Sequence, residues 1–279
     1  MFSVIFPGQG SQSVRMANEL YNKFNTVKDL FNKADDTLNF SITKLILEGP
    51  AEKLNETENT QPAIFLVGYS IFQLIKKDFG INLNKAGYFA GHSLGEYTAL
   101  ACADVLGFSE TLNLLRKRGK SMQEAVPKGK GGMLAILGST PDQIETIINE
   151  KNYECYIAND NSNGQQVVSG KLESLVSLME DLKNNGIKSI KLPVSAPFHC
   201  KLMNNATKIM EEEIQKSDFK NPINTLISNV TCEEVKDSSL LKQLLIKQIE
   251  SRVRWRENVN LMIEKGTKKF IEIGPGKIL

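Results

Sequence analysis

The chain has 279 residues, 41% of them hydrophobic, with 34 Lys and Arg against 32 Asp and Glu. That length fits about two globular domains with ample core. A near-zero net charge excludes an obvious nucleic-acid binder, which needs a strongly basic face, and no apolar run reaches the roughly 18 residues of a membrane span.

Apolar runs alternate with amphipathic ones, the pattern of an α/β fold. Residues 3–6 read as a strand ending at Pro7-Gly8-Gln9-Gly10. The N-terminal stretch lacks the basic residues and long apolar run of a secretory signal, so a cytoplasmic location is expected. Residues 16–33 carry Leu20, Phe24, Val27, Leu30 and Phe31 at helical spacing. Thr60-Gln61-Pro62 reads as a helix start, with Thr60 as N-cap and Pro62 near the first helical position. The body of that helix, 63–75, is apolar nearly all round and is expected to be buried. Residues 86–90 read as a strand and Gly91-His92-Ser93-Leu94-Gly95 as a turn, with a helix through Leu94, Thr98, Ala101 and Val105. The next helix starts at Ser109-Glu110 and runs toward Ala125. Pro127 and the glycines at 129, 131 and 132 then mark a boundary.

From 132 to 193 the pattern is strand 133–137, helix 141–150, strands 153–158 and 166–169 around a turn at 159–164, helix 171–184 and strand 187–192. That βαββαβ order is the split-βαβ, or ferredoxin-like, unit. Helices over 202–214, 239–250 and 256–265 and strands over 225–228 and 269–273 complete the chain. The expected architecture is a large α/β-hydrolase-like domain with a parallel sheet, residues 1–127 and 197–279. A small ferredoxin-like domain, 128–196, is inserted into it.

Gly91-x-Ser93-x-Gly95 between a strand and a helix has the form of a nucleophile elbow, a tight turn that exposes a serine beside helix N-terminal N–H groups. A serine hydroxyl needs a base. There are two histidines, too few for a histidine-rich metal site, and no metal is expected. His92 adjoins Ser93, where side chains diverge, and reads as a loop-shaping residue. His199, in an irregular segment just after the insertion, is the better base, placed where inter-domain pockets form. Four scattered cysteines without a CxxC pair read as reduced thiols. Gly8-Gln9-Gly10 lacks the third glycine of a dinucleotide loop, since Ser13 stands there. The alternative is a loop whose Gln9 N–H, with that of Leu94, forms an oxyanion hole.

The sequence resembles the malonyl-CoA:acyl-carrier-protein transacylase family along its whole length. The resemblance is carried by Phe6-Pro7-Gly8-Gln9-Gly10-Ser11-Gln12, Gln61-Pro62, Gly91-His92-Ser93-Leu94-Gly95-Glu96-Tyr97 and Arg118-Gly119-Lys120-x-Met122-Gln123-Glu124-Ala125-Val126-Pro127. Asn159-x-Asn161-Ser162, Pro197-Phe198-His199 and Gly274-Pro275-Gly276-Lys277 complete it. The resemblance implies that Ser93 is acylated and that His199 is its base and then the acid for the leaving thiolate. It implies that the backbone carbonyl of Gln248 orients His199 and that Gln9 and Leu94 supply oxyanion N–H groups. Arg118 would grip the malonyl carboxylate, with Gln61, Met122, Asn161 and Phe198 lining the site. By itself Arg116-Lys117-Arg118 reads as a solvated helix face. The guanidinium fork suits a carboxylate in a way lysine does not.

The resemblance further implies malonyl-CoA and an acyl carrier protein as partners, no bound cofactor, a monomer, and supply of malonyl units to fatty acid synthesis. A stand-alone acyltransferase of a polyketide pathway is the alternative. Lys128, Lys130 and Lys201 are first choices for carrier docking, because carrier proteins are generally acidic. Phe198 before the histidine goes with malonyl rather than methylmalonyl in related domains, whereas Ala196 departs from the histidine those domains often carry. A serine esterase or thioesterase shares GxSxG, but it places an acid before a late histidine and gives Arg118 no task. A non-catalytic carrier-binding relative would not need Ser93, His199, Arg118 and Gln248 together.

Overall fold

The computed structural model describes residues 1–194 and 196–279; Ser195, in the segment leading to His199, lies outside them. In chain order the first elements are β1 (Phe2–Phe6), α1 (Asn18–Lys23), α2 (Asn25–Leu38), α3 (Ile42–Glu48), α4 (Ala51–Leu54), α5 (Thr57–Lys77), β2 (Tyr88–Gly91), α6 (Leu94–Cys102) and α7 (Phe108–Glu124). Next come β3 (Gly131–Leu137), α8 (Pro141–Glu150), β4 (Cys155–Ser162), β5 (Gln165–Lys171), α9 (Leu172–Asn184) and β6 (Lys188–Lys191). The chain continues with α10 (Asn204–Lys216), β7 (Thr225–Ile227), β8 (Glu234–Val235), α11 (Ser238–Gln248), α12 (Trp255–Glu264) and β9 (Lys269–Glu272).

The larger sheet has the order β8-β7-β2-β1-β9. Four of its strands are parallel, and the short β8 pairs antiparallel with β7. Side chains alternate across a strand. Val4 and Phe6 of β1 and Phe89 of β2 therefore enter one core, while Ile5, Tyr88 and Ala90 enter another with Trp255 and Met262 of α12. Both faces are covered, as parallel sheets require. Phe6, Phe72 and Phe89 pack ring to ring, tying α5 to the sheet.

The second sheet, β4-β5-β3-β6, is wholly antiparallel. Its order is the one a split-βαβ unit gives, with the first strand central. Leu134 and Ile136 of β3 pack under α8 and α9 with Ile144, Leu175, Leu178 and Leu182. Met133, Ala158 and Val167 point the other way, into the main core. The alternation along β3 thus fastens the small sheet to the large body.

Several local expectations are corrected. The helix expected over 16–33 is two, because Phe24 is extended (φ −123°) and both ends α1 and precedes α2. Its ring packs edge-on against Phe79. Pro62 does not open α5 but lies inside it, and the N-cap is Glu56 rather than Thr60. Proline cannot donate to the carbonyl four residues back, and Arg116 Nη1 reaches that Glu58 oxygen instead at 3.5 Å. Thr60 Oγ1 donates to the Leu54 carbonyl at 2.6 Å, so it ties α5 to α4. The expected turn at 159–164 is largely strand: β4 runs to Ser162 with two register shifts. Pairing decides this, since Asp160 N donates to Val253 O at 2.9 Å and Val253 N to Ala158 O at 2.8 Å. Among the described residues no helix is long and apolar enough to cross a membrane.

Candidate active site

Ser93 sits where β2 turns into α6, with φ 54° and ψ −111°. That positive φ is strained for a residue with a Cβ, and such strain persists only when neighbours hold it. Glycines permit the turn: a Cβ on Gly91 would lie 1.9 Å from the Gly95 carbonyl carbon, and one on Gly95 2.3 Å from Phe6 O. Asn229, after β7, fixes the turn from beneath. Its Oδ1 accepts from Ser93 N at 2.8 Å and its Nδ2 donates to Gly91 O at 2.8 Å.

Ser93 Oγ is 2.7 Å from His199 Nε2, and His199 Nδ1 is 2.9 Å from the backbone carbonyl of Gln248. The carbonyl can only accept, so Nδ1 carries the proton and Nε2 is free to accept from the serine. Burial and the nearby Arg118 charge push His199 down to about 3, leaving it neutral. His92 points away from Ser93, with Nε2 2.9 Å from Asn161 Oδ1 and its ring edge-on to Trp255.

Arg118 reaches the same hydroxyl from α7. Far from being a solvated face, it is 1% exposed. Its Nη1 donates to Gln61 Oε1 at 2.7 Å, and its Nη2 to Gln248 Oε1 at 2.9 Å and Ser93 Oγ at 3.2 Å. Its Nε is buried without a partner among the described residues, and its guanidinium lies 5.4 Å from the centroid of Tyr97. Arg116 is not a plain surface residue either. It is half-buried, bonds Asn59 and lies over the Phe40 ring.

A cavity of about 100 Å³ joins these groups. Gln9, Gln61, His92, Ser93, Leu94, Arg118, Met122, Phe198 and His199 line it. Asn161 does not: it stands behind His92, and Asn159, Met133, Leu192 and Val194 form that wall instead. Gln9 and Val194 also border a hollow of about 540 Å³ that opens past Val126 and Lys128. Leu94 is the first residue of α6, so its N–H has no acceptor within the helix. Sequence reading passed over Asn229 and Glu96, and gave Gln248 a role for its carbonyl alone. Only Glu96 carried a signal, its place in Gly91-x-Ser93-x-Gly95-Glu96. Asn229 follows an unremarkable strand and is brought in by the sheet order.

A serine polarised by a neutral histidine, in a small pocket with a fixed cation, can accept an acyl group and pass it on. The fold and this chemistry define the class as the serine-nucleophile acyltransferases. The chain matches the acyl transferase domain over residues 3–279. It is 40% identical to the malonyl CoA-acyl carrier protein transacylase of Bacillus subtilis, covering 99% of this chain and 87% of that one. The acyl-carrier-protein-S-malonyltransferase of Bartonella henselae superimposes with a TM-score of 0.96 at 38% identity, over 99% and 90% of the two chains. A malonyl-transacylase solved in complex with its type II PKS acyl carrier protein gives 0.94 at 35% identity, over 99% and 89%. The chain belongs to the malonyl CoA-acyl carrier protein transacylase family.

Proposed function

We propose that the protein transfers the malonyl group of malonyl-CoA to the phosphopantetheine thiol of an acyl carrier protein, through a malonyl ester on Ser93. The observation that carries this reading is the short reach between cation and nucleophile: Arg118 Nη2 lies 3.2 Å from Ser93 Oγ inside the buried cavity. A carboxylate held by Arg118 leaves room for only a short acyl chain before the carbonyl meets the hydroxyl. Malonyl has that length, and the fork geometry selects its carboxylate.

In this reading His199 takes the Ser93 proton as the hydroxyl attacks the thioester carbonyl, and the backbone N–H groups of Gln9 and Leu94 hold the oxyanion. The tetrahedral intermediate collapses, the C–S bond breaks, and the His199 proton goes to the departing CoA sulfur. The carrier thiol then repeats the sequence in reverse, with His199 taking its proton. A neutral carbonyl from Gln248 is enough to orient the imidazole, because a thioester is an easier substrate than an amide. The body formed by 1–127 and 197–279 supplies the nucleophile, base and clamp, and the unit 128–196 supplies the far wall through Met133, Asn159, Leu192 and Val194. Exposed Lys128 borders the hollow beside the cavity and, with exposed Lys130 and Lys201, suits an acidic carrier. The protein works as a cytoplasmic monomer without a cofactor of its own, feeding fatty acid synthesis. The similarity to a transacylase solved with a polyketide carrier favours one second reading, a polyketide partner, and comparing the two carrier types as acceptors separates them.

The test is intact mass after mixing with malonyl-CoA. A malonyl adduct is expected on the wild type and absent from Ser93→Ala. Free malonate without any adduct would mean a hydrolase.

A further inference from the structure

Beneath the elbow lies a buried polar network whose carboxyl, Glu96, takes no part in the transfer steps. Glu96 of α6 is 2% exposed, and Gln248 and Arg118 are as deeply buried. Glu96 Oε2 accepts from Gln248 Nε2 at 2.6 Å and from the Asn229 N–H at 3.4 Å. The other end of the same amide, Gln248 Oε1, accepts from Arg118 Nη2 at 2.9 Å. One amide therefore links a carboxyl to a guanidinium through its two ends. Gln248 Nε2 also donates to Ser93 O at 3.0 Å, so the link passes directly under the nucleophile.

A buried charge needs a counter-charge or it neutralises. The guanidinium does not give up its proton. In the free site Arg118 and an ionised Glu96 balance each other through the amide. A substrate carboxylate docking on Arg118 adds a second anion beside one cation. Of two such carboxylates, one takes a proton. The substrate's, bonded directly to the guanidinium, stays ionised.

We propose that Glu96 is the resident counter-charge of Arg118 and takes up one proton from solvent when a substrate carboxylate docks there. This rests on reading Arg118 as the malonyl clamp. Burial already pushes Glu96 up to about 7, so it is poised to respond near neutrality. The groups facing it leave it the one that changes state between pH 6 and 8. From α7 comes the permanent charge of Arg118, and from α11 and the turn after β7 come the neutral amides of Gln248 and Asn229. Its neighbour Tyr97 is pushed up to about 12 by burial, and His199 down to about 3. An acyl group without a carboxylate, such as acetyl, leaves Glu96 as it was.

The experiment is calorimetric binding to the non-acylating Ser93→Ala protein in buffers of different ionisation enthalpy. Acetyl-CoA serves as the reference for protons taken up by the CoA portion. With malonyl-CoA the excess uptake should be small at pH 6 and approach about one proton at pH 8, so malonyl affinity weakens up to about tenfold per pH unit on the alkaline side. Adding Glu96→Gln, which keeps an acceptor for Gln248, should abolish the excess and flatten the pH dependence. Equal uptake for the two thioesters overturns the proposal without recourse to the second variant, as does an excess that survives Glu96→Gln. If Ser93→Ala binds both thioesters equally, the clamp reading itself fails and this inference with it; preference for malonyl without proton uptake sinks the inference alone.

Discussion

Arg118 shows how far one side chain's surroundings decide its task. Placed in Arg116-Lys117-Arg118 it looks like helix-surface charge, yet it is buried with bonds to Gln61, Gln248 and Ser93. Arg118→Lys removes the fork while keeping the charge, and Arg118→Ala removes both. We expect Arg118→Ala to lose about 2–5 kcal/mol of malonyl transition-state binding, the usual loss for one partner of a buried charged pair. Acetyl transfer should fall far less. Measuring kcat/KM for both thioesters checks this, and equal losses would mean that Arg118 supports the fold and not the acyl carboxylate. His199 makes a second prediction. Its neutrality down to about pH 3 means the acid limb of kcat/KM is not set by imidazole protonation near 6.5. A limb at 6.5 that disappears in His199→Gln together with residual activity would contradict this.

At the level of elements, the placement of β4 is the informative feature. Asp160 is buried and grips Arg256 of α12 through two oxygens, with Arg256 Nη2 to Oδ2 at 2.7 Å, while Gln166 Nε2 donates to Oδ1 at 3.1 Å. Its neighbours on the strand are Asn159, on the cavity wall, and Asn161, behind His92. Arg256→Gln strands that carboxylate and should cost about 3 kcal/mol in urea unfolding, at the low end for a buried pair because Arg256 is partly exposed. KM for malonyl-CoA should rise more than kcat falls, since the cavity wall shifts while Ser93 and His199 stay. A change in kcat alone would remove this account of β4. The strand's exit was hidden in the sequence because Asn159-Asp160-Asn161-Ser162 has the composition of a turn. Its partner Val253 lies far along the chain, and only that pairing makes the segment extended. The helix α8, by contrast, was readable over 141–150, and the structure adds that Thr140 caps it with Gln143 in a reciprocal box.

Across the whole molecule, buried titratable groups set opposing responses to pH. Burial lowers His92 and His199, so below about pH 6.5 the unfolded chain binds protons that the fold refuses, and stability falls with pH. Glu96 has the opposite sign. Its folded pKa is raised from 4.5 to about 7, so its contribution is present in acid and is lost as pH rises through 7. Urea unfolding should show His199→Gln losing less stability than wild type between pH 6.5 and 4.5. Glu96→Gln should remove the decline between pH 5 and 7. Parallel curves for wild type and both variants would refute the assignment of these groups.

The sequence alone determined the α/β character, the βαββαβ stretch and the pairing of Ser93 with His199, because periodicity, glycine spacing and a scarcity of histidine are local or countable facts. It also brought Arg118 and Gln61 forward, through family motifs rather than through any physical pattern of their own. Tertiary structure alone decided that Glu96, Gln248 and Asn229 form one network under Ser93, and that Asn161 supports His92 while Asn159 faces the cavity. Those assignments depend on burial and on hydrogen bonds between segments 69 to 155 residues apart. A linear pattern carries no record of which polar groups will be taken out of water together.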